Sequence, residues 1–402
     1  MKTNFLRATL AMILCSSAVC GWGQDEYIIN EDFSELYISG STRTCGEWTL
    51  SEGCVKGLNI VESNVALRIE NIKVGGVSYI GYANTGKLNC FGDVYLTFDY
   101  ARGSTRNTTI NVSIEGGGSF NDFIENKSIP ITSGNQRENF HKASYTIINV
   151  TENTYIKFSE SAVDHTFVID NVKVSKIPVI SLVESTDNDN SIEDNDEKLV
   201  RVETTRTLTG GIWNTLCLPF DVTMETMVQA LGDDQDIKMR TFSSYENKEM
   251  TFIEATEVPA GTPFLIKLNT TVKNPTFHGV TVKSETAKAV ESNGVSFVGT
   301  YSPVDLATDG TELFITKNNT LAIPAATTNT MNGMRAYIKV PDNFNPSATR
   351  LAIDEPTAIA TFNADKPDHS AAAVVYDLNG RHASHPGHGL YIVDGRLTFV
   401  KQ

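Results

Sequence analysis

The residue types that do chemistry are present in this chain, but their spacing assembles few working constellations. Three imidazoles, His382, His385 and His388, recur at three-residue intervals and are the nearest approach to a divalent-metal set. Pro386 and Gly387 break any helix that would align them, which favours a polar loop. Asp187, Asp189 and Ser191 mimic the opening of a calcium loop, yet Ile192 stands where the turn glycine belongs and Lys198 where the bidentate glutamate belongs. The glycines Gly116, Gly117 and Gly118 follow a strand-like run without opening a helix, so they read as a turn and not as a phosphate cradle. His141 and His165 stand alone in strand-like text. No GxSxG, HExxH or Walker glycine loop occurs. With no nucleophile, base and orienter brought together, the expectation is a protein that is not an enzyme.

Cysteines and aromatics offer binding and bracing instead. A basic head at Lys2 and Arg7, an apolar run from Ala8 to Val19 and small residues at Gly21 and Gly23 read as a secretory signal peptide over residues 1–23. Export places the remaining cysteines, Cys45, Cys54, Cys90 and Cys217, where disulfides persist. Cys45 and Cys54 bracket the polar stretch GEWTLSEG and are spaced to close a small loop, worth roughly 2–3 kcal/mol. Cys217, inside the apolar run TLCLPF, reads as a buried inert thiol. Trp48 in the cysteine loop, with Phe120 and Phe123 after the glycines, forms a candidate platform for the CH face of a sugar. Trp48 fits equally a core residue closing one end of a sandwich.

The elements that would carry these residues are strands. From Glu26 to about Lys176, β-branched and aromatic runs are cut by Gly, Asn and Ser. Val94, Leu96, Phe98 and Tyr100 alternate with polar residues, as do Ile110, Val112 and Ile114, the mark of half-buried strands. Seven acidic residues without a cation fill residues 184–197, a pattern that reads as a solvated linker. A second β-rich stretch follows, with one helix expected where Met224, Met227, Val228 and Leu231 fall at i, i+3, i+4 and i+7 between Thr223 and Gly232. The turn pairs Asn379-Gly380 and Asp394-Gly395 end the chain in hairpin-like text. The expected layout is all-β: signal peptide 1–23, jelly-roll β-sandwich 24–177, acidic linker 178–198, second β-rich domain 199–354 and C-terminal β tail 355–402. A net charge of −15, becoming −17 once residues 1–23 leave with their two cations, repels phosphate backbones, so nucleic acid is not an expected partner. No later stretch approaches the length of a transmembrane helix.

At this point the residues carry a resemblance. The EDF opening at Glu31–Phe33, the closing FVIDNVKV at 167–174 and the segment RTLTGGIWNTLCLPFDV at 206–222 resemble modular secreted proteins of the Bacteroidetes. The stretch from Glu31 to Ser175 is similar to galactose-binding-like jelly rolls, including the adhesin-type modules of that group. The tail, with YDLNGR at 376–381 and GLYIV at 389–393, resembles a C-terminal sorting domain of type IX secretion. The resemblance implies a secreted or cell-surface binding protein, extracellular, on the outer membrane or periplasmic, that engages a polysaccharide or surface glycoprotein and meets the secretion machinery through its tail. A pilus or matrix subunit built by strand addition is the alternative, and an accessory part of a carbohydrate-active enzyme system the third.

One flaw in the pattern points to an ion. In FVIDNVKV the apolar residues Phe167 and Ile169 share one parity, and Val172 and Val174 the other. A regular strand cannot bury both pairs on one face, so an extra residue at Asp170 or Asn171 is expected as a bulge that turns Asp170 out of the ladder. Glu31 or Asp32 of the opening strand would approach the same point, and such carboxylates are the hard oxygen ligands calcium prefers. The resemblance implies the same structural calcium, and the other reading is an Asp170 that caps backbone amides.

Overall fold

The computed structural model describes residues 27–59, 61–74, 76–132, 139–160 and 166–353, together with four backbone strands beyond Ile353. Residues 1–23, where a signal peptide is expected, His165, and the tail histidines His382, His385 and His388 lie outside the described residues. The chain divides into two units, Met1–Ile177 and Pro178–Gln402. It is nearly all β, and no helix among the described residues is long and apolar enough to cross a membrane.

Two sheets build the first unit. The larger has seven strands, ordered Ser119–Phe120, His141–Val150, Gly92–Arg102, Thr166–Lys176, Asn64–Glu70 and Cys54–Asn59, with Tyr27–Glu31 also paired to Thr166–Lys176. The smaller has five, ordered Asn126–Ile131, Thr108–Glu115, Tyr155–Glu160, Tyr82–Asn84 and Thr49–Leu50. From Gly92 onward successive strands alternate between the two sheets, the winding of a jelly roll. The alternating residues meet between the layers: Val94, Leu96 and Phe98 of one sheet and Ile110, Val112 and Ile114 of the other share a single buried cluster. The glycine turn is structural. Gly116, Gly117 and Gly118 all have positive φ, and a Cβ on Gly116 would fall 2.2 Å from the Asn153 carbonyl oxygen.

The bulge is present. Across the pair with Gly92–Arg102, Thr97 faces Lys173 while Asp99 faces Asp170, so Thr166–Lys176 carries one extra residue, and Asn171 takes a φ of +49°. Phe167, Ile169, Val172 and Val174 are all fully buried as a result. The bulge also marks a handover along the edge. Tyr27–Glu31 pairs with Val172–Ser175, whereas Asn64–Glu70 pairs with Thr166–Ile169.

The second unit has two cores. Two five-stranded sheets face each other through Trp213, Phe242, Phe252 and Leu265 on one side and Val295, Phe297, Leu313 and Ile338 on the other. A three-stranded sheet, Val179–Leu182, Leu199–Thr204 and Thr276–Thr281, packs into a separate cluster with the helix Met224–Leu231. That helix starts where its sequence says: Thr223 Oγ1 accepts from the Thr226 N–H at 3.1 Å, and Met227 and Leu231 are buried. The four tail strands, Ala360–Asn363, Val375–Tyr376, Gly389–Val393 and Arg396–Lys401, form one sheet, so the expected hairpin is enlarged by two strands.

The acidic stretch is not a linker. Val179–Leu182 is a strand, Asp189–Glu193 a second helix in addition to the one expected, and Ile192 is buried. The Asn188 side-chain amide donates to the carbonyls of Val183, Thr186 and Tyr301, at 3.1, 3.2 and 2.8 Å. Glu184 takes the Gly333 N–H on its carbonyl and the Arg335 guanidinium on its carboxylate. Amide and guanidinium partners supplied by distant segments offset the self-repulsion that composition alone foresees.

Candidate functional site

The proposed aromatic platform is dismantled by the fold. Trp48 is only 9% exposed, stacked on Phe158 at 6.1 Å and edge-on to Phe33 at 5.2 Å, because the short strand Thr49–Leu50 that follows it pairs into the smaller sheet. Phe120 is fully buried beside Tyr145. Both are core residues, and neither can offer a face to a ligand. Phe123 alone keeps the exposure a platform needs, at 58%, on a turn where it stands next to the exposed Ile124.

The cysteines are likewise separated. Cys45, Cys54, Cys90 and Cys217 are all free and buried, and no Cys45–Cys54 disulfide forms. Cys54 Sγ donates to the Tyr82 carbonyl at 3.1 Å, while Cys45 sits beside Glu31, so the two sulfurs have different neighbours. Burial, reinforced by Glu31, pushes the Cys45 thiol up to about 12, and burial pushes Cys54 up to about 11 and Cys217 up to about 12. Thiols held so far above their ordinary range are poor nucleophiles.

Asp170 is fully buried at the bulge. Its carboxylate accepts from Asn59 Nδ2 at 2.8 Å and from the Asn171 N–H at 2.9 Å, which is the capping arrangement. Asn171 Nδ2 in turn donates to Asp99 at 2.9 Å and Glu62 at 3.1 Å. Desolvation raises Asp170 to about 6, the Asn59 and Asn171 bonds oppose it, and Glu62 and Asp99 add to the rise. Glu31 and Asp32 are engaged elsewhere, accepting from the N–H groups of Phe33 and Ser34 two residues on. Among the described residues no group of three His, Cys, Asp or Glu side chains is arranged to hold a metal ion, so Glu31, Asp32 and Asp170 do not meet as one ligand set.

A cleft that no motif announced lies on the outward face of the larger sheet. Arg68 faces Val168, and Val168 faces Ala101, at positions alternating with the core residues Leu67, Ile69, Phe167 and Ile169. These three therefore point away from the core. Ala101 and Val168 are nonetheless buried, because the walls rise around them. The cleft measures about 260 Å³; its floor is Gly57, Ala101, Gly103 and Val168, and Leu58, Phe140, Lys56, Arg68 and Arg102 also line it. The floor is small of necessity: a Cβ on Gly57 would stand 3.2 Å from Val168 Cγ1, and one on Gly103 would stand 2.6 Å from Thr166 Oγ1. Leu58 is 56% exposed and Phe140 half-buried, so an apolar ledge borders a floor of backbone and methyl groups. Arg68 supplies donors at the same opening and is braced by Glu70 at 2.6 Å.

No protein-family model matches the chain, and no curated protein matches it in sequence. Among solved structures it is similar to the K3 adhesin domain of Lys-gingipain from Porphyromonas gingivalis, at 13% identity and a TM-score of 0.28, over 37% of this chain and 98% of that one. It is similar also to a family 35 carbohydrate-binding module from Clostridium thermocellum, at 18% identity and a TM-score of 0.25, over 36% and 95%. A third likeness, at 12% identity and a TM-score of 0.27 over 38% and 100%, is to a putative sugar binding protein from Bacteroides thetaiotaomicron. The sandwich assignment rests on the strand pairings and not on these scores.

Proposed function

We propose that the first unit is a non-catalytic carbohydrate-binding module of an exported protein, and that its ligand lies in the outward-face cleft. The observation that carries this reading is the floor of Gly57, Ala101, Gly103 and Val168 beside Leu58 and Phe140: a shallow apolar bed with donors at its edge suits a sugar ring, whose CH face packs while its hydroxyls accept from Arg68. Phe123 is retained as a second contact surface, on its exposure alone. The test is a glycan array on the secreted full chain, followed by calorimetry of the strongest hit against wild type, Leu58→Ala, Phe140→Ala and Phe123→Ala. Loss in the two cleft variants with little change in Phe123→Ala supports the cleft. Loss in Phe123→Ala alone moves the site to that turn, and ligand-free ladders on size exclusion would favour strand-addition assembly instead.

Two further expectations belong to the same reading. The tail sheet is proposed to serve export by a type IX route, checked by whether removing residues 375–401 traps the protein inside its host. Calcium is proposed to act at Asp170, whose neighbour Asn171 also bonds the Asp99 and Glu62 carboxylates. If so, added calcium raises the melting midpoint of wild type and not of Asp170→Ala; an unchanged wild-type midpoint leaves Asp170 as a cap alone.

A further inference from the structure

The second unit contains a cavity of its own, independent of the cleft above. It measures about 370 Å³, and its lining includes Thr215, Phe314, Asn329, Met331, Asn332 and Arg335. Volume and mixed lining are those of a small-molecule site: apolar surface with a few convergent polar groups.

Its charged groups share partners. Glu184 Oε2 accepts from Arg335 Nη2 at 2.7 Å and lies 3.6 Å from Arg206 Nη1, so one carboxylate serves two guanidiniums. Arg206 is buried and spends its outer nitrogens on the carbonyls of Thr207 and Thr215, at 3.0 and 3.1 Å. Thr215 is itself part of the cavity wall. The Nε atoms of both arginines are buried without a hydrogen-bond partner. Burial lowers the Arg206 guanidinium to about 9, the neighbouring Arg335 lowers it further, and Glu184 offsets only part of this. A second carboxylate, Asp305, accepts from Oγ1 of the lining residue Thr330 at 2.5 Å. Two carboxylates thus stand against two guanidiniums, but Arg335 lines the cavity and gives only its Nη2 to Glu184, so it keeps donor capacity toward the cavity.

We propose that this cavity binds a small hydroxylated carboxylate of the uronic-acid class. Its carboxylate sits against Arg335, taking the donor capacity that Glu184 leaves; its hydroxyls meet the amides of Asn332 and Asn329 and the Thr215 hydroxyl; its ring face lies on Phe314 and Met331. A guanidinium offers a carboxylate two parallel donors that a neutral sugar cannot use equally, so the site discriminates by charge as well as by shape.

The experiment is calorimetric titration of the full chain with glucuronate, glucose and inorganic phosphate. The expected result is saturable binding of glucuronate, at least about tenfold tighter than glucose or phosphate. Arg335→Gln is expected to weaken glucuronate binding at least about tenfold, with Arg335→Lys intermediate. Because Arg335 also holds Glu184, the variants Asn332→Ala and Phe314→Ala, neither of which touches that ion pair, provide the second reading and are expected to weaken binding severalfold while the melting midpoint stays within a few degrees. Absence of glucuronate binding overturns the proposal, as does equal affinity for glucose or phosphate. Binding that survives Arg335→Gln, Asn332→Ala and Phe314→Ala but disappears in Phe140→Ala belongs to the first unit and overturns it too.

Discussion

Asp170 offers a stability test whose sign is fixed by the structure. The carboxyl is raised from its ordinary 3.8 to about 6, first by burial and then by Glu62 and Asp99, so the folded chain holds the proton more tightly than the unfolded one. Its contribution to stability is therefore present below pH 3.8 and is lost as the pH rises through about 6. With the group ionised in both states, that difference amounts to about 3 kcal/mol against folding. The substitution Asp170→Asn removes the charge and keeps one oxygen for Asn59 Nδ2, at the expense of the Asn171 N–H bond, worth ~1 kcal/mol. In excess chelator the variant should thus be more stable than wild type by about 2 kcal/mol at pH 7, and the advantage should vanish by about pH 4. Urea unfolding at a series of pH values, followed by hydrogen exchange in peptides spanning 166–176, isolates the first unit, and the difference between the two proteins cancels every other titration. A difference that stays constant from pH 4 to 7 would refute the account of Asp170 as a buried, desolvated acid.

Trp48→Ala should cost about 3–5 kcal/mol, read as a lower urea midpoint for the first unit, because the ring stacks on Phe158 and meets Phe33 in the core; full stability with lost glycan binding would return Trp48 to the ligand face. Asn188→Ala should lower the melting midpoint of the second unit by the equivalent of ~1–3 kcal/mol, since it deletes the bonds to Val183, Thr186 and Tyr301. On the same grounds, a first proteolytic cut of the native chain within 184–197 would contradict the folded state of that segment. Thr223→Ala should cost ~1 kcal/mol by circular dichroism melting and Thr223→Ser almost nothing, because a hydroxyl at that position is what caps the helix Met224–Leu231.

Periodic features were legible because their signal is local. The alternation through Val94–Phe98 and Ile110–Ile114 told which face was buried, and the spacing of Met224, Met227 and Leu231 with Thr223 before it located a helix to within a residue. Features made by distant partners were not. The run of carboxylates from Glu184 to Glu197 looks solvated until Arg335 and the Tyr301 carbonyl are known to reach it. Trp48 sits in polar text, yet the pairing of Thr49 with Asn84 carries it inward. The cleft draws on residues 56–58, 68, 101–103, 140 and 168, and its floor is built of small side chains that leave no mark in a sequence.

The parity break in FVIDNVKV was legible for a reason that also explains the buried carboxylate. One strand, Thr166–Lys176, must serve two successive partners on the same edge, Asn64–Glu70 along its first half and Tyr27–Glu31 along its second. Where one partner stops and the next begins, the ladder cannot satisfy every backbone group, and an unpaired buried N–H is costly. The extra residue turns the Asn171 N–H out of the ladder, and the Asp170 carboxylate accepts it while reaching Asn59 at the tip of the Cys54–Asn59 strand. A neutral residue at 170 could take one of those bonds, but a carboxylate accepts both. The acid is thus retained in spite of its desolvation because it ties the handover together from the middle of the sheet, and the same need keeps apolar residues on both sides of it in opposite parity.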